Sequence, residues 1–181
     1  MSPILGIIAS SFRSAAGPDG AYDALSTVTL ASATSTVTFA GIPTGYKHLQ
    51  IRTTFTSSAA VNPQIRFNED TSSVYSWHHL YGEGSGSGLN NGAANQSFMY
   101  FSFLPNTSYP ASTITDIFDY TSTSKNKIIR TLSGSDANGS GEVALWSGNW
   151  RNSTNAINSI SIINPSGNFT TNSQFALYGV K

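Results

Sequence analysis

The feature that most restricts what this chain can fold into is its punctuation. Residues 25–30, 36–40, 48–55, 64–68, 75–81, 97–104, 113–120, 127–133, 142–147, 157–163 and 174–180 are short runs, alternating or wholly apolar. Each is bounded by clusters of Gly, Pro, Asn or Ser. Short runs of this kind, with turn residues between them, are the signature of a many-stranded antiparallel sheet. The alternation is cleanest at Leu49, Ile51, Thr53 and Phe55, which predicts a strand with that face in a core and Gln50, Arg52 and Thr54 facing out. No segment carries a helical period. Charged residues make up only 10% of the chain, against roughly a quarter in ordinary soluble domains. The surface is therefore covered by Ser, Thr, Asn and Gly, of which Thr favours extended backbone and Gly and Asn favour turns.

A length of 181 residues suits one sandwich or barrel around a single core. The expectation is an all-β fold, an antiparallel β-sandwich over residues 21–181, preceded by an N-terminal arm over residues 1–20. The arm opens with Ile4-Leu5-Gly6-Ile7-Ile8, continues to Phe12 and Arg13, and is cut off by Gly17-Pro18-Asp19-Gly20. An exposed run of Ile and Leu is an aggregation hazard unless something buries it, so the arm reads either as an attachment device or as a first strand folded onto its own domain. A hairpin is predicted between residues 128–133 and 142–147, which flank Asp136-Ala137-Asn138-Gly139, because Asn-Gly readily takes positive φ. Residues 82–95, rich in Gly and poor in apolar side chains, are expected to form a mobile loop.

Nine basic and nine acidic residues cancel, so no basic field is available to attract nucleic acid or an anionic membrane. The chain has no cysteine, which removes disulfides, thiolate metal sites and Cys nucleophiles. The apolar start lacks a positively charged flank and is too short to span a bilayer, so the expectation is a protein made and used without secretion. The Asn-x-Ser/Thr triplets, such as Asn106-Thr107-Ser108, then reflect only the abundance of Asn and Thr.

Side chains that could carry chemistry are few. His78-His79, with Glu83 and Asp70 nearby, offers ligand types suited to zinc, but adjacent strand residues point to opposite faces, so one imidazole is expected inside and one outside. His48 stands alone. Asp116 and Asp119 are the residue type needed for glycoside hydrolysis, yet at a spacing of three they fall on opposite sides of a strand, solvated or paired with Lys125, Lys127 or Arg130. There is no G-x-S-x-G elbow and no recognisable Ser-His-Asp arrangement. The Gly-rich stretch from Gly82 lacks the ending of a phosphate loop. Trp77, Trp146, Trp150, Tyr100 and Tyr178 could stack on a sugar, but core packing is the expected role for most of them. Neither catalytic residues, nor a cofactor, nor a metal site is expected.

Several segments together resemble the small virion proteins of tailed bacteriophages, including phages of cyanobacteria. They are Ile4 to Ser11 (ILGIIASS), Ile42-Pro43 with Tyr46-Lys47-His48-Leu49-Gln50-Ile51-Arg52, Leu132-Ser133-Gly134 with Gly148-x-Trp150-Arg151, and the ending Phe175 to Lys181 (FALYGVK). The resemblance spans nearly the whole chain. It implies a jelly-roll-like sandwich, a homo-oligomer with a trimer favoured, and a place in the virion, on the capsid surface or at the tail, assembled in the host cytoplasm. It also implies a non-enzymatic role as a capsid cement or decoration protein that binds and bridges the major capsid protein or other virion proteins. On that reading Ile4, Leu5, Ile7, Ile8 and Phe12 carry attachment, since an apolar arm can lie on a neighbour or add a strand to its sheet. The alternative is a tail fibre or adhesion module in which residues 82–95 and nearby aromatics recognise a host-surface glycan.

Overall fold

The computed structural model describes residues 20–84, 86–102 and 108–181. The proposed arm, with Ile4, Leu5, Ile7, Ile8 and Phe12, lies outside the described residues. In chain order the strands are β1 (Tyr22–Thr29), β2 (Thr36–Ala40), β3 (His48–Phe55), β4 (Gln64–Phe67), β5 (Tyr75–Gly82), β6 (Leu89–Gln96), β7 (Met99–Tyr100), β8 (Ala111–Phe118), β9 (Lys127–Asp136), β10 (Gly141–Trp150), β11 (Ser159–Ile163) and β12 (Gln174–Val180). No helix occurs among the described residues, so none there is long and apolar enough to cross a membrane. The fold is all-β, as expected: an eight-stranded sheet in the order β1-β12-β3-β8-β9-β10-β5-β6 and a four-stranded sheet in the order β2-β11-β4-β7. Every pairing is antiparallel. The pairs β1–β12, β2–β11, β3–β8 and β4–β7 are nested, and the chain passes from one sheet to the other between successive members of β1 to β4.

The core lies between the sheets. Leu49, Ile51 and Phe55 of β3 point into it, as the alternation requires, with Ile117 of β8, Ile129 of β9, and Phe175 and Leu177 of β12. From the smaller sheet Val37, Phe39, Ile65, Phe67, Ile160 and Ile162 meet them. The inward face of the large sheet is not wholly apolar. Thr53 and Thr113 share a hydroxyl hydrogen bond of 2.7 Å, Thr115 and Thr131 one of 2.8 Å, and the Trp146 indole N–H donates to Ser133 Oγ at 3.1 Å. Cross-strand register sets each Thr pair directly opposite and Trp146 diagonal to Ser133, within reach of the hydroxyl partner each buried polar group needs.

The β9–β10 hairpin forms as the sequence predicts, with Asp136 opposite Gly141 and Lys127 opposite Trp150. Asn138 (φ 60°) and Gly139 (φ 92°) take the left-handed conformation of the turn, and Asp136 Oδ1 accepts from the Gly139 N–H at 3.1 Å. Residues 82–95 depart from the expected loop. Half of them, residues 89–95, belong to β6, an edge strand paired with β5 through Trp77–Ala93, His79–Asn91 and Tyr81–Leu89. An edge strand is held by main-chain hydrogen bonds and needs little apolar surface of its own. Gly92 has a specific role, because a Cβ there would collide with the His78 ring. Among the described residues of the run expected at 97–104, those in a strand are the two of β7.

Candidate interaction surface

The outward face of the eight-stranded sheet is where the structure departs furthest from an ordinary sandwich. Such a sheet normally has one face in the core and one polar face in water. Here register aligns four apolar residues in one row across four adjacent strands: Ile114 of β8 opposite Leu132 of β9, Leu132 opposite Leu145 of β10, and Leu145 opposite Leu80 of β5. Val143 and Ile128 extend the patch on either side, and all six are between 43% and 62% exposed. Two shallow grooves run over it. One, of about 450 Å³, lies along Leu80, Phe118, Ile128 and Leu145. The other, of about 420 Å³, lies along Ile114, Leu132 and Val143. Scattered exposed Leu residues are ordinary, but a contiguous apolar patch on an otherwise polar protein marks a contact surface.

The rim of this patch is polar and held in place. Arg52 lies between the rings of Tyr22 and Tyr178, its guanidinium carbon 5.1 and 4.8 Å from their centroids. Its Nε donates to Gln50 Oε1 at 2.7 Å, and Gln50 Nε2 donates in turn to Asp116 Oδ1 at 2.8 Å. Asp116 also accepts from Arg130 at 2.9 Å, and Arg130 sits 5.5 Å from the Phe118 ring centroid. Gln50 faces outward as expected, but these bonds bury it. An apolar centre bordered by Tyr and Arg, with side-chain entropy already lost in stacking, is the composition of a protein-binding surface.

The residues considered for chemistry are not brought together. His78 is exposed on the outward face and His79 is buried on the inward one. The His79 ring packs between Trp77 and Tyr81 and 4.2 Å from the Trp146 centroid, where burial lowers its pKa. No group of three His, Asp or Glu side chains suited to a metal ion occurs among the described residues. Asp116 and Asp119 part as expected, Asp116 to Arg130 and Asp119 to Lys125 at 3.1 Å. The hydrogen bond from Lys125 holds the Asp119 carboxyl below its ordinary range. Lys127 is not their partner: it is fully buried, donates to the Asn152 carbonyl at 2.8 Å and lies 5.3 Å from the Trp150 ring centroid. Trp77, Trp146 and Trp150 are buried core residues, and Tyr100 packs edge-on against Trp77, so no tryptophan is displayed for sugar stacking.

One carboxyl stands apart. Glu142, near the start of β10, borders an open cleft of about 490 Å³ with Glu83 and Asp136. Burial, reinforced by the Glu83 charge, pushes its pKa up to about 8.

The outward row was missed by reading each run as a strand with one apolar face. The signal was nevertheless present in Ile128-Ile129 and in Val143-Ala144-Leu145-Trp146, where consecutive apolar residues make both faces of a strand apolar. Comparison with protein-family models, with curated proteins and with solved structures finds no match.

Proposed function

We propose that this chain is a non-enzymatic structural component of a bacteriophage particle that works by holding other proteins, with capsid cement or decoration as its role. The observation that carries this reading is the apolar row Ile114, Leu132, Leu145 and Leu80, displayed on a rigid sheet and bordered by Arg and Tyr. A rigid platform suits a cement, because many identical weak contacts on a shell sum through multivalency. The nested strand pairs support reading the sandwich as a jelly roll enlarged by β5, β6, β9 and β10. Attachment to the major capsid protein falls to Ile4, Leu5, Ile7, Ile8 and Phe12, and the outward sheet face is a second surface of the assembly.

The test is removal of residues 1–17. The expected result is a folded domain that no longer decorates particles; undiminished decoration by that truncation would overturn the arm's role. The tail-fibre or glycan-binding alternative is weakened by the burial of the three tryptophans and by the pairing of residues 89–96 into a sheet.

A further inference from the structure

From the register of the outward face we infer that its occupant is a second copy of this chain, packed face to face about a two-fold axis that runs parallel to the strands between β9 and β10. This rests on reading the face as an assembly surface. Three observations favour a copy over another partner. The first is self-complementarity. The outward rows read Ser112, Gly134, Val143, Gly82; then Ile114, Leu132, Leu145, Leu80; then Asp116, Arg130, Ser147, His78. A two-fold in that position sets β9 over the copy's β10 and reverses each row. Val143 then stands over the copy's Gly134, where no side chain projects. Leu145 stands over Leu132 and Leu80 over Ile114, apolar on apolar. The exposed imidazole of His78 stands over Asp116, and Arg130 over the Ser147 hydroxyl. An isologous contact requires that residue i meet j and j meet i, and these rows meet it with no like charges opposed.

The second observation is area. The six strands that such an axis overlaps, β3 to β6 in sheet order, at about 4.8 Å spacing and each with about eight residues rising about 3.4 Å, give a face of roughly 780 Å². That is close to the roughly 800 Å² per partner of a stable complex. The third is charge. Apart from the Asp116–Arg130 pair, the three rows carry no acidic or basic group but the imidazole of His78; the stacked Arg52 flanks them on β3, and the acidic Glu83, Asp136 and Glu142 lie beyond the first row, at one end of the face, so the centres of two such faces do not repel one another. Face-to-face sheets pack about 10 Å apart with interleaved side chains, a spacing that the Leu and Ile rows can fill.

The experiment is sedimentation of the full chain at micromolar concentration, with Leu132→Glu and Leu145→Glu made separately. A charge buried at the centre of an apolar contact is strongly unfavourable, whereas both residues are about half exposed in the single copy, so each variant should keep its far-ultraviolet spectrum and melting temperature. The wild-type chain is expected at about twice 19.2 kDa, and each variant should weaken self-association by about a hundredfold or more. Thr38→Glu, on the outward side of the small sheet, should leave association unchanged. A monomeric wild-type chain, or an oligomer that both Glu variants leave intact, overturns the inference. So does association lost only on removal of residues 1–17, which would hand the contact to the Ile4 to Ile8 run. Wild-type chain that is monomeric yet decorates particles overturns the second copy while leaving the proposed function standing.

Discussion

Ile128 and Ile129 are neighbours on β9 that differ in which side of the sheet they face, and replacing each by Ala separates core from contact surface. Ile129 is fully buried between the sheets beside Gly148 of β10. Removing its outer carbons creates a cavity, and the expected cost is about 3 kcal/mol, within the 2–5 kcal/mol typical of buried Ile to Ala. Ile128 points outward and is 43% exposed, so roughly half of the 1.5–3 kcal/mol that full burial contributes is at stake. The expected cost is therefore about 1 kcal/mol or less in the single copy. Urea denaturation of both variants measures this, at protein concentrations low enough to keep the chain monomeric. If a second copy covers the outward face, the Ile128→Ala cost grows with protein concentration, because association stabilises the folded state by mass action. Equal costs for the two variants at high dilution would refute the assignment of the outward face as uncovered in the single copy.

Two further outcomes follow from the inward face. Glu142 holds its proton up to about pH 8 in the folded state, whereas an unfolded carboxyl releases it near 4.5. The folded state thus binds more protons between those values and stability falls as pH rises through that window; Glu142→Gln should flatten the profile measured by thermal melts. Thr115 and Thr131 satisfy one another inside the sheet, so either single change to Val leaves a buried hydroxyl unpaired and should cost about 1–3 kcal/mol. The double change should cost less than the sum of the two, which a double-mutant cycle in urea reads directly.

Strands whose side chains alternate cleanly were legible in the sequence. β2, β3 and β12 fall where the periodicity sets them, because a period of two with one apolar face specifies register as well as extent. β6 was not legible: Leu89-Asn90-Asn91-Gly92-Ala93 shows no apolar period, since its place depends on main-chain pairing to β5 and on room for the His78 ring over Gly92. Gln50 was read correctly as outward-facing, but its burial depends on Arg52 and Asp116 arriving from the same strand and the next one. The outward row was partly legible, in the consecutive apolar residues of β9 and β10. What could not be read was that register would place Ile114 and Leu80 in line with Leu132 and Leu145, because that is a property of strand order. The arm residues Ile4 to Phe12 lie outside the described residues, and their role rests on their apolar chemistry and on the resemblance alone.

Whether the chain is a structural part of a particle is tested most directly by its copy number in purified particles. Quantitative mass spectrometry against the major shell protein should give a copy number comparable to that of the shell. Absence from the particles would contradict the account, and a handful of copies per particle would contradict the decoration role and point to the tail.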